Sequence, residues 1–369
     1  VRRAARRDGE DRVIARVGVV GAGTMGVGIA QLCAQSGFSV KIHDPFPAAL
    51  AALPKRLRDA LDVAVLKGRL STQQADRAYH AVSPAPALGD LAGADLIVEA
   101  VPEDLALKQE MFERLSVLVP DAVLATNTSS LSVGDVMARV SRPERALGMH
   151  FFNPPVAMKL VELVRAPFTD PEVFSGVWEF ALAGLRRTPV DVKDVPGFIV
   201  NRVLRPYYVL SQRLCGPRAS IAAIDDSCRA RGGVPMGPFE LMDLIGLDTN
   251  LAITKSIHAA LGRPERFAPP ALQQALVDRG ETGRKMGAGF YLYDNGKKTG
   301  SNADALVPSA GGAASGDAAW DALRSALIAE AELVVCENTA SASDVDVAVK
   351  LAMNFPKGPF EWRKESTAA

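Results

Sequence analysis

The chain has 369 residues, 48% of them apolar, with Lys+Arg and Asp+Glu equal at 42 each. That length allows two domains, or two and a fraction, each with its own core. Balanced charge excludes a global field that would draw in nucleic acid, and no apolar run reaches the ~18–20 residues that span a bilayer. Four scattered cysteines, Cys33, Cys215, Cys228 and Cys336, form no Cys-x-x-Cys. This fits a reducing, cytoplasmic setting and argues against structural zinc or a disulfide framework, so no metal is expected.

Residues 1–12, VRRAARRDGEDR, are Arg-rich but include Asp8, Glu10 and Asp11, and no apolar segment precedes Val13. They read as a disordered tail or a start-site extension rather than a transit peptide. From Val13 the pattern is α/β. RVGVVGAG is an apolar run ending in glycines, TMGVGIAQLCAQSG is helical, and FSVKIHD is a second strand. Residues 48–79 carry helical runs broken near Lys67-Gly68, and ADLIVEA, AVLATN, RALGMHF and KLVELV read as four more strands. Strands alternating with helices imply a Rossmann-type, parallel, doubly wound sheet over residues 13–192. Residues 193–294 read as an all-α domain, and 295–318, rich in Gly, Ser and Ala, as a flexible linker.

An internal repeat follows over residues 319–369. Gly-Pro-Phe-Glu ends at Glu240 and again at Glu361, an offset of 121, and Ile224-Asp225 aligns with Val345-Asp346. The second copy stops soon after, so it is a partial duplicate of the helical domain. Such a piece rarely buries its own core and is expected to pack on the first copy or on another subunit.

GAGTMG sets glycines at 21, 23 and 26, between a predicted strand and a predicted helix opened by Thr24 and Met25. Gly21 suits a tight turn, Gly23 a close approach of pyrophosphate, and Gly26 close helix–strand packing. The helix N-terminus supplies donors to phosphate. Asp44 ends the second strand, 18 residues after Gly26. An acid there accepts bonds from an adenosine ribose and repels a 2′-phosphate, favouring NAD over NADP. The competing reading is a glycine turn without ligand and an Asp that starts the turn at DPFP.

HFFNPPVAMKLVE joins His150 to Glu162 across a Pro-Pro bend. In an extended KLVELV, Glu162 shares a face with Leu160 and Val164, where a carboxylate needs a partner. If the chain reverses, that carboxylate can orient the imidazole and fix its tautomer, as in a general base. A buried histidine bonded to backbone and a glutamate at a sheet edge are the rival readings.

At this point the chain resembles the L-3-hydroxyacyl-CoA dehydrogenases over about residues 13–294. The blocks are GAGTMGVGIAQ, LIVEAVPEDLALKQEMF, TNTSSLS, GMHFFNPPVAMKLVELV, DVPGFIVNR, GVPMGPFELMDLIGLD and GRKMGAGFY, in order. The resemblance implies that His150 is the base and Glu162 its partner. It implies that Ser129 and Asn201 position the substrate oxygen with Asn153 nearby, and that Glu103 and Lys108 line the nicotinamide-ribose side of the cofactor. Other readings compete. Ser129 lies in a cluster where hydroxyls commonly cap helices, although Ser132 with Asp135 can do that instead. Asn201 lies just inside a helix, a mildly unfavourable place for Asn, which favours function. Glu103 follows Pro102 in an expected first helical turn, where an acid suits the dipole anyway. Lys67 and Arg69 are candidates for the CoA phosphates or simply solvated charge.

The expected activity is NAD-dependent, reversible oxidation of a 3-hydroxyacyl-CoA. The rivals are a dehydrogenase of a free 3-hydroxy acid, of the gulonate type, and a non-catalytic NAD-binding protein. Ala322 aligns with Asn201, so the second copy is expected to add no second site. In relatives the helical domain mediates dimerisation or is duplicated whole. The expectation here is a homodimer or a pseudo-dimeric monomer formed through the helical domains.

Overall fold

The computed structural model describes residues 14–302 and 318–368; the N-terminal tail and most of the expected linker lie outside the described residues. The chain divides into two compact units that meet in sequence between Asp194 and Val195.

The first unit runs β1 (Arg16–Val20), α1 (Thr24–Gln35), β2 (Ser39–His43), α2 (Pro47–Leu66), α3 (Thr72–His80), β3 (Val82–Pro84), β4 (Leu96–Glu99), α4 (Leu105–Leu118) and β5 (Val123–Thr126). It continues through α5 (Val133–Val136), β6 (Ala146–Phe151), β7 (Leu160–Arg165), α6 (Pro171–Glu179) and β8 (Thr188–Lys193). One eight-stranded sheet has the order β3-β2-β1-β4-β5-β6-β7-β8. Its central strands are buried along their whole length, including LIVE in β4 and ALGMHF in β6. This is why they read as unbroken apolar runs rather than alternating ones.

The sheet is not wholly parallel. β7 pairs antiparallel with β6, and β8 runs parallel to β7. The reason is chain length. Only residues 152–159 separate β6 from β7, too few for a crossover, which takes about a dozen or more. The turn includes a cis Asn153–Pro154 bond. Because of this reversal, His150 lies directly opposite Glu162 in the ladder.

The second unit holds α7 (Val200–Val203), α8 (Arg205–Leu214), α9 (Ile221–Gly232), α10 (Pro238–Ile245), α11 (Leu247–Ala260) and α12 (Ala271–Asp278). A hairpin, β9 (Tyr291–Asp294) with β10 (Lys297–Ser301), follows. The expected linker therefore starts too early. Asn295 and Gly296 take left-handed φ of 48° and 74°, the Asn-Gly conformation of a two-residue hairpin turn. That local signal was present in the sequence.

The second copy forms α13 (Ala319–Cys336), α14 (Ala342–Met353) and α15 (Pro359–Ala368). It keeps the devices of the first. Ser220 and Ser341 cap α9 and α14 by accepting from Ala223 and Asp344 N–H. Asp225 and Asp346 each accept from the N–H of the repeated phenylalanine, Phe239 at 3.0 Å and Phe360 at 2.8 Å. Arg229 pairs with Glu240 as Lys350 pairs with Glu361. One difference has a covalent cause. α13 is continuous where α7 and α8 are broken at Leu204, because Pro206 at the start of α8 has no N–H to donate, and its counterpart is Leu327.

The second copy packs on the first. α13 lies on α8 and α9, and α14 lies on α7. Since α13 is the counterpart of α7–α8 and α14 of α9, each copy offers corresponding helices to the other. Trp320 sits on Gly232, where a Cβ would come within 2.8 Å of the indole. Phe355 meets the Tyr207 ring edge-on at 5.7 Å.

Candidate active site

Three constellations in the first unit and one in the second hold the residues singled out by sequence, apart from Lys67 and Arg69. The first is the loop between β1 and α1. Gly21 has φ +103°, and a Cβ on Gly26 would stand 1.7 Å from the Gly21 carbonyl oxygen, so no side chain fits. At Gly23, the N-cap of α1, an added Cβ would meet nothing within 4 Å, and no side chain caps the helix. The first turn, with Thr24 and Met25, carries no acid. An open approach to an uncapped helix N-terminus is the shape and polarity a pyrophosphate needs. Asp44 accepts from Ala22 N–H at 2.7 Å and from Phe46 N–H at 2.9 Å. It braces the glycine loop and also starts the turn into α2. These residues fit a dinucleotide.

The second is a buried polar chain behind β4 and β5. Glu99, fully buried at the end of β4, accepts from Lys108 Nζ at 2.6 Å, Thr126 Oγ1 at 2.6 Å and Val101 N–H at 2.7 Å. Lys108, only 1% exposed, also reaches Glu103 at 3.1 Å. The other Glu103 oxygen accepts from Thr128 Oγ1 at 2.6 Å, Ser129 N–H at 2.9 Å and Ser130 N–H at 3.2 Å, with Ser129 Oγ at 3.3 Å. Burial pushes the Glu103 carboxyl up, but the charge of Lys108 and the hydrogen bonds from Thr128 and Ser129 prevail and hold it below the ordinary value.

Glu103 is not in a first helical turn, contrary to the sequence expectation. Asp104 takes the cap of α4, accepting from Leu107 N–H at 2.9 Å, as a short acid does well. Glu103 then turns back to the Ser129 loop. Ser132 caps α5, so Ser129 is not the capping residue. Lys108→Met is expected to cost about 3–5 kcal/mol, because it leaves Glu99 buried without its cation. Urea denaturation measures this, and a loss below about 1 kcal/mol, typical of exposed pairs, would contradict it.

The third is the His150–Glu162 pair. Nδ1 and Oε2 are 2.7 Å apart, with His150 6% and Glu162 0% exposed. A carboxylate only accepts, so Nδ1 donates to Glu162, and in a neutral imidazole the lone pair is on Nε2. The Phe152 ring lies 4.6 Å from the imidazole, centroid to centroid. Asn127 Oδ1 accepts from Phe151 N–H at 2.8 Å, tying the end of β5 to that of β6. Asn153 is exposed in the turn after β6.

The fourth is Asn201 on α7, whose carbonyl accepts from Arg205 Nε at 3.0 Å. Lys67 and Arg69 are exposed at the α2–α3 turn. The structure places neither beside the buried pair or the Glu103 chain.

Residues 16–195 match the family model "3-hydroxyacyl-CoA dehydrogenase, NAD binding domain", and residues 197–293 match the model of the C-terminal domain of the same enzymes. The chain belongs to the 3-hydroxyacyl-CoA dehydrogenase family. It is 40% identical to a 3-hydroxybutyryl-CoA dehydrogenase of Mycobacterium tuberculosis over 283 residues, 76% of this chain and 99% of that one. It is also 40% identical to the 3-hydroxyadipyl-CoA dehydrogenase of Escherichia coli, over 74% of this chain but only 58% of the longer relative. A crystal structure of an Escherichia coli 3-hydroxybutyryl-CoA dehydrogenase superposes with a TM-score of 0.83 at 31% identity, covering 95% of this chain and 91% of that one. That coverage reaches beyond residue 293, so the fold of the second copy has a counterpart there. As a family member this chain is an NAD-dependent oxidoreductase of 3-hydroxyacyl-CoA substrates.

Sequence reasoning missed Glu99, Asn127 and Asp194. Asp194 accepts from Ser132 Oγ and from Val133 and Gly134 N–H, holding the start of α5. Glu99 had a signal, an acid closing a wholly apolar strand. Asn127 and Asp194 had none, because their partners are distant in sequence. Among the described residues no group of three or more His, Cys, Asp or Glu is placed to hold a metal, and no helix is long and apolar enough to cross a membrane.

Proposed function

We propose that His150 is the general base in oxidising the 3-hydroxyl of (S)-3-hydroxyacyl-CoA to the 3-oxo product, and the general acid in reverse. The observation that carries this is the buried 2.7 Å contact between His150 Nδ1 and Glu162, which orients the imidazole and makes Nε2 the nitrogen able to take up the hydroxyl proton. Glu162 stabilises the imidazolium that forms. NAD+, when bound, supplies the hydride acceptor. Ser129 and Asn201 hold the substrate oxygen, Ser129 on a loop shaped by Glu103. Gly21, Gly23, Thr24, Met25, Gly26 and Asp44 receive the pyrophosphate and adenosine ribose, and Glu103, Lys108 and Asn153 serve the nicotinamide side. Lys67 and Arg69 remain candidates for the CoA phosphates on charge alone.

The second copy stands in for a dimer partner, giving a pseudo-dimeric monomer. The reciprocal packing of α13 on α9 and α14 on α7 supports this. A cytoplasmic setting is the matching proposal, since no disulfide joins any of the four cysteines and three are buried.

The test is oxidation of NADH with acetoacetyl-CoA, beside free acetoacetate and beside NADPH. Turnover that requires both CoA and NADH is the expected result. Turnover of the free acid alone would replace this reading with a free 3-hydroxy acid dehydrogenase.

A further inference from the structure

α7 is a single turn between two breaks. Phe198, just before it, takes a left-handed φ of 49°, and Pro206 interrupts the helix after it. A four-residue turn does not hold its geometry alone. Two buried arginines that follow Asn201 tie this turn to its surroundings. Arg205 donates from Nε to the Asn201 carbonyl and from Nη1 to the Asn250 carbonyl and Thr254 Oγ1, at 3.0, 3.2 and 2.8 Å. Arg202, 1% exposed, donates from Nε to Glu330 at 2.9 Å and from Nη1 to Glu337 at 2.6 Å. Glu330, also 1% exposed, takes a second arginine, Arg266, at 2.6 Å.

Glu330 and Glu337 both lie on or just after α13, in the second copy. At the repeat offset the first copy has no acid at either position. Val209 and Gly216 occupy their positions in the first copy, and Leu323 occupies the position of Arg202 in the second. If two first copies paired in the same way, Arg202 would face Val209 and be buried without a counter-charge. The acids are therefore particular to the copy that covers α7. A buried ion pair contributes little net stability compared with apolar packing, and its better-attested use is to fix geometry.

We propose that the second copy is a positioning element of the active site: through Glu330 and Glu337 it fixes Arg202, and with it the turn that carries Asn201. The proposal rests on the reading of Asn201 as the residue that holds the substrate oxygen. Glu330 is a positioning residue that acts through Asn201.

The test is a double-mutant cycle on the full chain: wild type, Glu330→Gln, Asn201→Ala and the pair. It is read by steady-state turnover of acetoacetyl-CoA with NADH and by the NADH dissociation constant. Glu330→Gln is expected to lower kcat about 10- to 100-fold, the scale of an ångström's misplacement, with NADH affinity unchanged. In the Asn201→Ala background the same change should cost less than about twofold, within ordinary additivity. An equal loss in both backgrounds, or no loss in wild type, would overturn the proposal and leave Glu330 a structural residue. If Asn201→Ala itself turns over like wild type, the reading of Asn201 fails first, and the proposal with it. Should Glu330→Gln not yield folded protein, the half-exposed Glu337→Gln is run through the same cycle with the same criteria.

Discussion

His150→Gln should bind NADH as wild type does and turn over about 10²–10⁴-fold more slowly, the usual contribution of a general base. The glutamine amide can donate to Glu162 in place of Nδ1–H, so the buried carboxylate keeps a partner and the β6–β7 ladder has no reason to open. What is lost is the lone pair on Nε2, since an amide does not take up a proton near neutral pH. The glycine loop after β1 lies three strands away in the sheet order, so the nucleotide site should not register the change. Fluorescence titration with NADH and single-turnover reduction of acetoacetyl-CoA separate the two effects. Turnover within a few-fold of wild type would remove His150 from the mechanism. Glu162→Gln should fall between the two, because an amide oxygen still accepts from Nδ1–H but no longer offsets the charge of the imidazolium.

Truncation after Asn302 should make the chain aggregate or self-associate. Removing α13–α15 uncovers Tyr207 and Gly232, whose cover is Phe355 and Trp320. Each large apolar side chain uncovered costs roughly 1.5–3 kcal/mol. It also strips Arg202 of both its carboxylates, and losing one side of a buried pair costs about 3–5 kcal/mol more. A truncated chain that associates through the bared α7–α8 face would restore the apolar contacts but place Val209 against Arg202. It should therefore be a weak dimer at best. Size-exclusion chromatography with light scattering and thermal melting report the outcome. A monodisperse, monomeric truncation melting at the wild-type temperature would show that the second copy covers nothing the first copy needs.

Much of the nucleotide half was legible because its signals are local. The glycines at 21, 23 and 26 encode backbone geometry, and the apolar runs of β1, β4 and β5 encode a sheet buried on both faces. The hairpin at Asn295-Gly296 is equally local, but the Gly, Ser and Ala composition of the stretch around it masks the signal. The repeat was visible because the 121-residue offset copies a cap, a carboxylate and a Gly-Pro-Phe-Glu turn together. By itself, then, the sequence determined the layered α/β unit, the helical unit, its duplication and the family to which they belong.

Three things were decided only by the tertiary structure, and for one reason: each joins side chains through contacts that no local pattern encodes. The short β6–β7 connection reverses the strand and sets Glu162 opposite His150, turning two even-handed candidates into a 2.7 Å pair. Asp104, by taking the cap of α4, frees Glu103 to gather the Ser129 loop 26 residues away. Arg202 finds Glu330 across 128 residues of chain. Periodicity places a residue on a face, but only packing decides what that face meets.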